Sequence, residues 1–309
     1  MSFSARMQKS HLYSVFFAPR GRDRLFDLGA QISQLYLSPF DKLIGVIGEA
    51  GSGKSAITKG MFPGLELTND DDGVNIRPLP LLCQDDESGF FTPHTYHLDI
   101  RFEAAFTQMH VLADAILQAV SRGKRVIVEH FDLIYPYLHM NAHLIIGVGE
   151  EIIVTRPNLF GPLPNEIFNI VSKSLKYRQM AHSAEDLCEF CMGAELLNRC
   201  KHDDVKHGFI LAFQDEKPDI DLDKLEKDVL ELISKDLTIS YVAEGHITIG
   251  DTIHPCTGPR THVSSTGKIE HFKVIKQIFF DSFSNRYLVA CTVGDEVPVD
   301  IHMLNDMKL

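Results

Sequence analysis

A glycine-rich loop is the part of this sequence whose residue types and spacing could most directly do chemistry. The run Gly48–Ser55 reads GEAGSGKS and fits G-x-x-x-x-G-K-[ST] at every fixed position. Glycines let such a loop curl so that its backbone N–H groups surround an anion. Lys54 can then reach the β- and γ-phosphates of ATP or GTP, and the Ser55 hydroxyl can hold Mg²⁺. The predicted nucleotide-binding residues are Gly48, Gly51, Ser52, Gly53, Lys54 and Ser55.

The segments on either side of the loop fit the same interpretation. Residues 41–47 are mostly apolar and predict a short buried strand, whereas residues 55–61 predict the first turns of a helix. A strand, a glycine loop and a helix in succession make a phosphate site, because the first amides of the helix point at the ligand. A glycine-rich surface turn is the alternative, and these flanks disfavour it.

Carboxylates follow two further predicted strands. The run Asp70–Asp72 comes after the segment 65–69, and Glu129 follows the apolar residues Val126–Val128 of the strand predicted from residue 124. A carboxylate beside a phosphate loop can orient Mg²⁺ or its water, or accept the proton of a substrate hydroxyl. Asp132 is a weaker candidate, and an acidic turn is the alternative for each single aspartate. The predicted catalytic residues are Asp70, Asp71, Asp72 and Glu129.

Four side chains in the second half of the chain have the chemistry of a metal site. His182 and Asp186 are four residues apart in a predicted helix, so they share one face of it. Cys256 and His262 flank a Gly-Pro turn that can aim both side chains inward. Thiolate and imidazole ligands favour Zn²⁺ over Mg²⁺. The predicted ligands are these four, and His254 is the alternative if the turn displaces one of them.

Other cysteines suggest a zinc site but fit it less well. Cys188 and Cys191 are one helical turn apart, and Cys200 and His202 follow them. Because the first two cysteines align with apolar residues of the same predicted helix, we expect buried core thiols there.

Composition is typical of globular proteins. The chain has 309 residues, 44% of them hydrophobic, and no apolar run of the length that spans a bilayer. The first residues lack the apolar core of a signal peptide, and the six cysteines form no disulfide framework. We therefore expect a cytoplasmic protein without a membrane partner.

The charge of the chain limits its interaction with nucleic acids. Its formal net charge is −12, and both halves are acidic on balance. A broad contact with a phosphate backbone needs a basic surface, which neither half supplies. Any contact with RNA is therefore expected to be local, for instance with one terminal nucleotide.

Alternating elements predict an α/β fold for the first half, with a parallel sheet and helices on both faces, as in P-loop NTPases. The proline-containing stretch 160–164 interrupts this pattern, so we predict two domains, residues 1–164 and 165–309. The second domain is predicted to be α+β. Predicted strands are residues 13–17, 41–47, 65–69, 124–129, 143–148 and 151–155, and residues 279–291 predict a hairpin. Predicted helices are 22–37, the helix that begins at 55–61, 98–120, one or two helices over 165–198, and 221–237. Residues 93–97 open the helix 98–120, as its cap or as a contact with substrate, and the cap is favoured.

Three motifs of the first half together resemble the uridine kinase and phosphoribulokinase branch of P-loop kinases. They are Gly48–Ser55, Asp70–Asp72 and the strand Val126–Glu129. The resemblance implies phosphoryl transfer to a small hydroxyl compound. That branch carries an arginine-rich lid over the transferred phosphate, whereas this sequence has only Arg156 between Glu129 and Arg178.

The second half resembles the editing domain of alanyl-tRNA synthetase and its free-standing relatives, over residues 182 to about 275. That family has a helical motif H-x-x-x-H and a later C-x-x-x-H, to which His182, Asp186, Cys256 and His262 correspond. Further matches, in order along the chain, are the acidic helix 221–237, Ile249–Asp251, Thr261–Val263, Thr266–Ile269 and Phe272–Val274.

This second resemblance implies a metal-centred module that hydrolyses amino acids wrongly attached to tRNA. It adds Zn²⁺ as a cofactor and a tRNA acceptor end as a partner. Two features depart from the family pattern: Asp186 replaces a histidine, and five residues instead of three separate Cys256 from His262. A carboxylate oxygen can still bind Zn²⁺, so a changed site and a lost site both stay open.

The sequence thus predicts an ATP- or GTP-binding protein that acts as a phosphotransferase or NTPase on a small molecule. The alternatives are a nucleotide-gated protein that recognises an amino acid or an aminoacyl-tRNA end, an aminoacyl-tRNA deacylase, and a structural scaffold. The scarcity of lid arginines favours the nucleotide-gated protein, and the acidic run Asp70–Asp72 favours the kinase. The phosphate acceptor and the oligomeric state stay open.

Overall fold

Two compact units divide the chain in the computed structural model, which describes residues 13–65, 67, 95–214, 216–243, 245–258, 260–294 and 304–305. The first unit comprises the residues up to Ala18 and Asp23–Lys173, and the second comprises Pro19–Arg22 and the residues from Ser174 onwards. The two units therefore part between Lys173 and Ser174. The domain boundary after residue 164 stays a prediction.

The first unit contains a six-stranded mixed sheet of described residues in the order β1-β6-β5-β2-β4-β3. Strands β5, β2, β4 and β3 are parallel to one another, whereas β6 and β1 are antiparallel to their neighbours. The expectation of a wholly parallel sheet was wrong because two residues between β5 and β6 are too few for a crossover. The strands are β1 Tyr13–Phe17, β2 Leu43–Ile47, β3 Thr95–Asp99, β4 Arg125–Glu129, β5 Leu144–Val148 and β6 Glu151–Thr155.

The described helices of the first unit include two that were predicted, near residues 22–37 and 55–61, and one that was not, over residues 131–138. The predicted helix 98–120 is instead the end of β3, the short helix α3 and then α4. Asp99 accepts hydrogen bonds from the amides of Arg101 and Phe102, which fixes the start of α3. Pro93 and His94 lie outside the described residues, and Thr95–His97 belong to β3 rather than to a helix cap. The helices are α1 Arg22–Tyr36, α2 Lys54–Met61, α3 Ile100–Glu103, α4 Met109–Ser121 and α5 Phe131–Leu138.

The second unit is α+β, as predicted. A four-stranded antiparallel sheet has the order β12-β13-β8-β7, and a three-stranded sheet has the order β11-β10-β9. The helix α6 Pro164–Met192 begins in the first unit and supplies one face of the metal-ligand cluster described below. The other elements are α7 Ala194–Leu197, α8 Leu222–Ser234, β7 Cys200–Val205, β8 Gly208–Gln214, β9 Ile239–Ala243, β10 His246–Ile249, β11 Thr252–Pro255, β12 Lys273–Asp281 and β13 Arg286–Thr292.

Each unit has hydrophobic cores of its own. Strands β2 and β5 are buried along their whole length, as their apolar sequences predict for central strands of a covered sheet. In the second unit, α6 packs with α8 and β8 around side chains such as Leu187, Phe213 and Val229. None of the helices in the described ranges is long and apolar enough to cross a membrane.

Candidate nucleotide and metal sites

The glycine loop connects the end of β2 to the first residue of α2. Gly51 and Gly53 have φ values of 75° and 94°, a backbone region that favours glycine. No side chain caps the start of α2, where Gly53 is the N-cap. Gly53 has no side chain that could accept a hydrogen bond from the first amides of this eight-residue helix. The loop therefore presents those amides without a side-chain cap.

Lys54, Ser55 and Glu129 converge at this loop. The Nζ atom of Lys54 donates to the carbonyl oxygen of Glu49 at 2.8 Å, and the Ser55 hydroxyl donates to Oε1 of Glu129 at 3.1 Å. The contact follows from topology, since β2 and β4 are adjacent parallel strands whose carboxyl ends meet at one edge of the sheet. Burial lowers the pKa of Lys54, although the Glu129 carboxylate opposes that shift.

Glu129 is an ionised carboxylate in a buried position. Burial alone would raise its pKa, but the hydrogen bond and charge of His97, with Lys54 and Ser55, outweigh burial and lower it. The Nε2 atom of His97 lies 3.2 Å from Oε1 of Glu129. This contact of His97 was not predicted, because residues 93–97 were interpreted as the start of a helix, whereas His97 is buried in strand β3 beside β4.

Two further charged residues extend the site and were also missed. Asp99 ends β3 opposite Glu129, and Arg101 forms an ion pair with Glu49 of the loop at 3.0 Å. The side chain of Arg101 is 42% exposed. A strand that ends in Asp, with Arg two residues later, was the signal available in the sequence. Arg101 places a cation beside the phosphate loop, but it lies before Glu129 and outside the segment in which lid arginines were expected.

His130 and Asp132 lie buried at the start of α5. His130 has a left-handed backbone with φ 57°. Burial, together with the charges of Lys54 and Arg101, lowers the pKa of His130 to about 3, and burial raises the pKa of Asp132. His130 Nδ1 and Asp132 Oδ1 have no hydrogen-bond partner among the described residues. The predicted catalytic residues Asp70, Asp71 and Asp72 lie outside the described residues.

The four predicted metal ligands of the second unit meet in one cluster. His182 and Asp186 come from one face of α6, Cys256 follows β11, and His262 lies beyond the turn. Their ligand atoms all lie within 4.8 Å of one another. Cys256 Sγ is 3.3 Å from His182 Nε2 and 3.7 Å from His262 Nε2, and His262 Nε2 is 2.7 Å from Asp186 Oδ2.

Two of these distances are compatible with a tetrahedral metal ion such as zinc. Bond lengths of about 2.0–2.3 Å place tetrahedral nitrogen and sulfur ligands about 3.3–3.6 Å apart. The two separations from Cys256 Sγ are within a few tenths of an ångström of that range. The shorter contact between His262 and Asp186 is a direct hydrogen bond that a cation would replace. His254 is not needed in this set, because His262 reaches it despite the longer turn.

A second set of contacts orients His182. Glu185 Oε2 lies 3.2 Å from His182 Nδ1, and Arg20 binds both oxygens of Glu185 at 2.9 and 3.0 Å. Burial would raise the pKa of Glu185, but Arg20 and His182 hold it well below its ordinary value. An ionised carboxylate accepts the Nδ1 proton, which leaves Nε2 of His182 to bind a metal. The Nε2 atom of His182 also lies 3.2 Å from the carbonyl oxygen of Gly258.

The close approach of the turn to α6 requires glycine at position 258. A Cβ atom there would lie 2.2 Å from the Arg20 carbonyl oxygen and 2.9 Å from His182 Nε2. The Gly258 amide donates to Cys256 Sγ at 3.3 Å, which supports a thiolate. Burial and the Asp186 carboxylate raise the pKa of the Cys256 thiol, so a bound cation is what would deprotonate it.

The cysteines and the histidine that suggest a second zinc site in the sequence lie in two environments, one apolar and one polar. Cys188 is buried in the core and interacts with Cys291, as predicted for a core thiol. Cys191, which carried the same prediction, is only partly buried against that core. His202 instead lies 2.6 Å from Glu189 and 3.8 Å from Cys200 Sγ. Sequence reasoning missed Glu189, although its position one turn beyond Asp186 on α6 was a usable signal.

No family model matches the sequence, and no curated protein matches it. The resemblances to P-loop kinases and to the editing domain stay predictions carried by the residues quoted for them. The geometry of the two sites is therefore the basis for the functional proposals that follow.

Proposed function

We propose that the first unit binds ATP or GTP with Mg²⁺ and transfers the γ-phosphoryl group to a small molecule or to water. The observation that carries this proposal is the hydrogen bond between Ser55 and Glu129 beside the buried ammonium of Lys54. A hydroxyl, a carboxylate and an ammonium at the start of a helix are the groups that a metal-bound triphosphate requires.

Each residue has a separate role in this proposal. The loop amides and Lys54 bind the phosphates, Ser55 supplies a ligand to the cation, and Glu129 orients a water on it. Mg²⁺, when bound, neutralises charge on the transferred phosphoryl group. His97 fixes the Glu129 carboxylate, and Arg101 is close enough to Lys54 to affect its pKa and can contribute positive charge to the same phosphates.

Two alternatives differ in what happens after binding. A kinase needs a base for the acceptor hydroxyl, and Asp99 is the described carboxylate at the end of the neighbouring strand, although it caps α3. A nucleotide-gated binding protein needs slow hydrolysis only. Phosphate release that no hydroxyl compound accelerates favours the second alternative, whereas a phosphorylated product favours the first.

Replacement of Glu129 by Gln is expected to remove the magnesium dependence of nucleotide binding and to lower turnover about 100-fold or more, as for loss of a positioned acid–base group. Glutamine preserves the size of the side chain but not its charge. Binding should be measured by calorimetry with and without Mg²⁺. Asp114→Asn, on the exposed side of α4, is the control and should keep the magnesium effect. A Glu129→Gln protein with an unchanged magnesium effect would contradict the proposed role.

We further propose that the second unit holds Zn²⁺ and acts on an ester such as an aminoacyl-tRNA end. The observation that supports it is the convergence of His182, Asp186, Cys256 and His262 from three parts of the chain. Zn²⁺, when bound, polarises an ester carbonyl or activates water. His182 is held for ligation by Glu185, and the net negative charge of the chain limits RNA contact to the terminal nucleotide.

Substitution of Cys256 by Ser is expected to lower zinc content below stoichiometric and to abolish release of the amino acid from mischarged tRNA. The thiolate is the softest of the four ligands and so contributes most to zinc selectivity. Cys191→Ser is the matched control, since Cys191 lies on the same unit outside the cluster. Metal analysis and deacylation assays separate a failure of the metal site from a failure of catalysis. Stoichiometric zinc in a protein that releases no amino acid from tRNA would exclude catalysis and leave the metal site in place.

A further inference from the structure

A second group of potential metal ligands lies directly beside the first. Asp186, Glu189 and His254 each offer one atom, and these three atoms lie within 4.8 Å of one another. All three residues are buried. Asp186 belongs to both groups, so the two sets of ligands share a carboxylate.

The fold explains why the two groups lie side by side. His182, Asp186 and Glu189 are four and three residues apart on α6, so they line one face of the helix. His254 and Cys256 are two residues apart in the extended segment at the end of β11, so they face the same way. Cys256 Sγ lies 3.3 Å from His182 Nε2, and His254 Nε2 lies 3.3 Å from Glu189 Oε2. Asp186 occupies the position between these two contacts on the helix.

The buried carboxylates of this region differ in the positively charged or neutral groups that face them. Glu185 is neutralised by Arg20, with both side chains 4% exposed. Asp186 and Glu189 instead face imidazoles: His262 for the first, and His254 and His202 for the second. A divalent cation next to each carboxylate would compensate the buried negative charge and would use the nitrogens of His262 and His254 as ligands.

We propose that the second unit binds two divalent transition-metal ions with the Asp186 carboxylate as a bridge between them. This proposal rests on the zinc site proposed above for the first ion. The second ion takes Asp186, Glu189 and His254, a set of oxygen and imidazole ligands that suits Zn²⁺ or Mn²⁺. Two cations of this kind about 3.5–4 Å apart can hold a water between them and stabilise both oxygens of a hydrolytic step.

A chain of hydrogen bonds without a second ion is the competing arrangement. His202 Nε2 lies 2.6 Å from Glu189 Oε1, and His254 binds the other oxygen of Glu189. In that arrangement the two histidines only position Glu189 beside the first ion. The two arrangements differ in metal stoichiometry and in the distance between bound ions, and both quantities can be measured.

The test is a titration of the metal-stripped full-length protein with Co²⁺, followed by optical absorption and by equilibrium metal analysis. We expect two equivalents in the wild-type protein. The Glu189→Gln/His254→Gln variant should bind one equivalent and keep the thiolate-to-cobalt absorption band. Cys256→Ser should lose that band. His110→Gln, an exposed histidine of the first unit, is the control and should bind two equivalents.

Electron paramagnetic resonance of the Mn²⁺-loaded wild-type protein tests the carboxylate bridge without any variant. A shared carboxylate couples the two ions, so the single-ion signal should give way to that of a coupled pair at the second equivalent. The proposal is overturned if the wild-type protein binds one equivalent of Co²⁺, if the Glu189→Gln/His254→Gln variant still binds two, or if the two Mn²⁺ ions are not coupled. If the first site does not bind metal, the wild-type protein shows no thiolate-to-cobalt absorption band, and this result differs from all three of those outcomes.

Discussion

Replacement of Lys54 by Ala is expected to weaken nucleotide binding about 30- to 150-fold. The Lys54 side chain is buried beside the glycine loop and lies near the charges of Glu129, Asp99 and Glu49. A hydrogen bond to a charged partner is worth about 2–3 kcal/mol, and each 1.4 kcal/mol changes affinity about tenfold. The dissociation constant of a non-hydrolysable ATP analogue with Mg²⁺, measured by calorimetry, checks the prediction.

The variant should remain folded, which makes the result interpretable. Burial lowers the pKa of Lys54, so burying the ammonium costs free energy that alanine does not incur. Lys42→Ala is the matched control because Lys42 precedes β2, at the opposite end of that strand from the loop. An affinity unchanged by Lys54→Ala would favour the structural scaffold over any nucleotide-dependent function.

Local sequence rules account for the parts of both sites that were predicted. The spacing of the glycine loop fixes Lys54 and Ser55 relative to β2, and the strand that ends in Glu129 is adjacent to it. Helical periodicity alone placed His182 and Asp186 on one face of α6. The structure brings all four predicted metal ligands together, and Cys256 and His262 reach the helix through a turn that Gly258 permits.

The errors lie where periodicity cannot distinguish two structures. A short buried strand and the start of a helix have similar apolar patterns, so β3 was interpreted as helix and the contact of His97 with Glu129 was not predicted. The direction of β6 depends on the two-residue connection after β5, and the prediction considered only its apolar composition. In both cases the pairing of distant strands decides the structure, and a single segment does not contain that information.

Arg20 shows most clearly what sequence reasoning could not reach. It lies 165 residues from Glu185 along the chain, yet it belongs to the second compact unit and binds that carboxylate through two nitrogens. Nothing in the residues around position 20 marks it as a part of the metal site. The partner becomes visible only when the contacts of Glu185 are known.

Substitution of Arg20 by Ala is expected to destabilise the second unit by about 3–5 kcal/mol, the usual effect of removing one partner of a buried ion pair. Arg20 also binds Asp204 at 2.8 Å and the carbonyl oxygens of Asp203 and Gly208. The variant therefore leaves the buried carboxylate of Glu185 without its guanidinium partner and the carbonyl groups of Asp203 and Gly208 without their donor. Hydrogen exchange of the β8 amides in increasing urea reports the stability of this unit specifically. Arg22→Ala, at an exposed neighbouring position, is the control.

The same substitution should weaken zinc binding about 10- to 100-fold, because Glu185 would lose the group that keeps it ionised and aimed at His182. A competition titration with a zinc chelator, performed well below the unfolding midpoint, separates this effect from unfolding. The Arg20→Ala effect on zinc affinity should largely disappear in a Glu185→Gln background, since the two residues act through one contact. An Arg20→Ala protein that loses stability but keeps full zinc affinity would assign Arg20 a structural role alone. Glu185 would then orient His182 without help from its guanidinium partner.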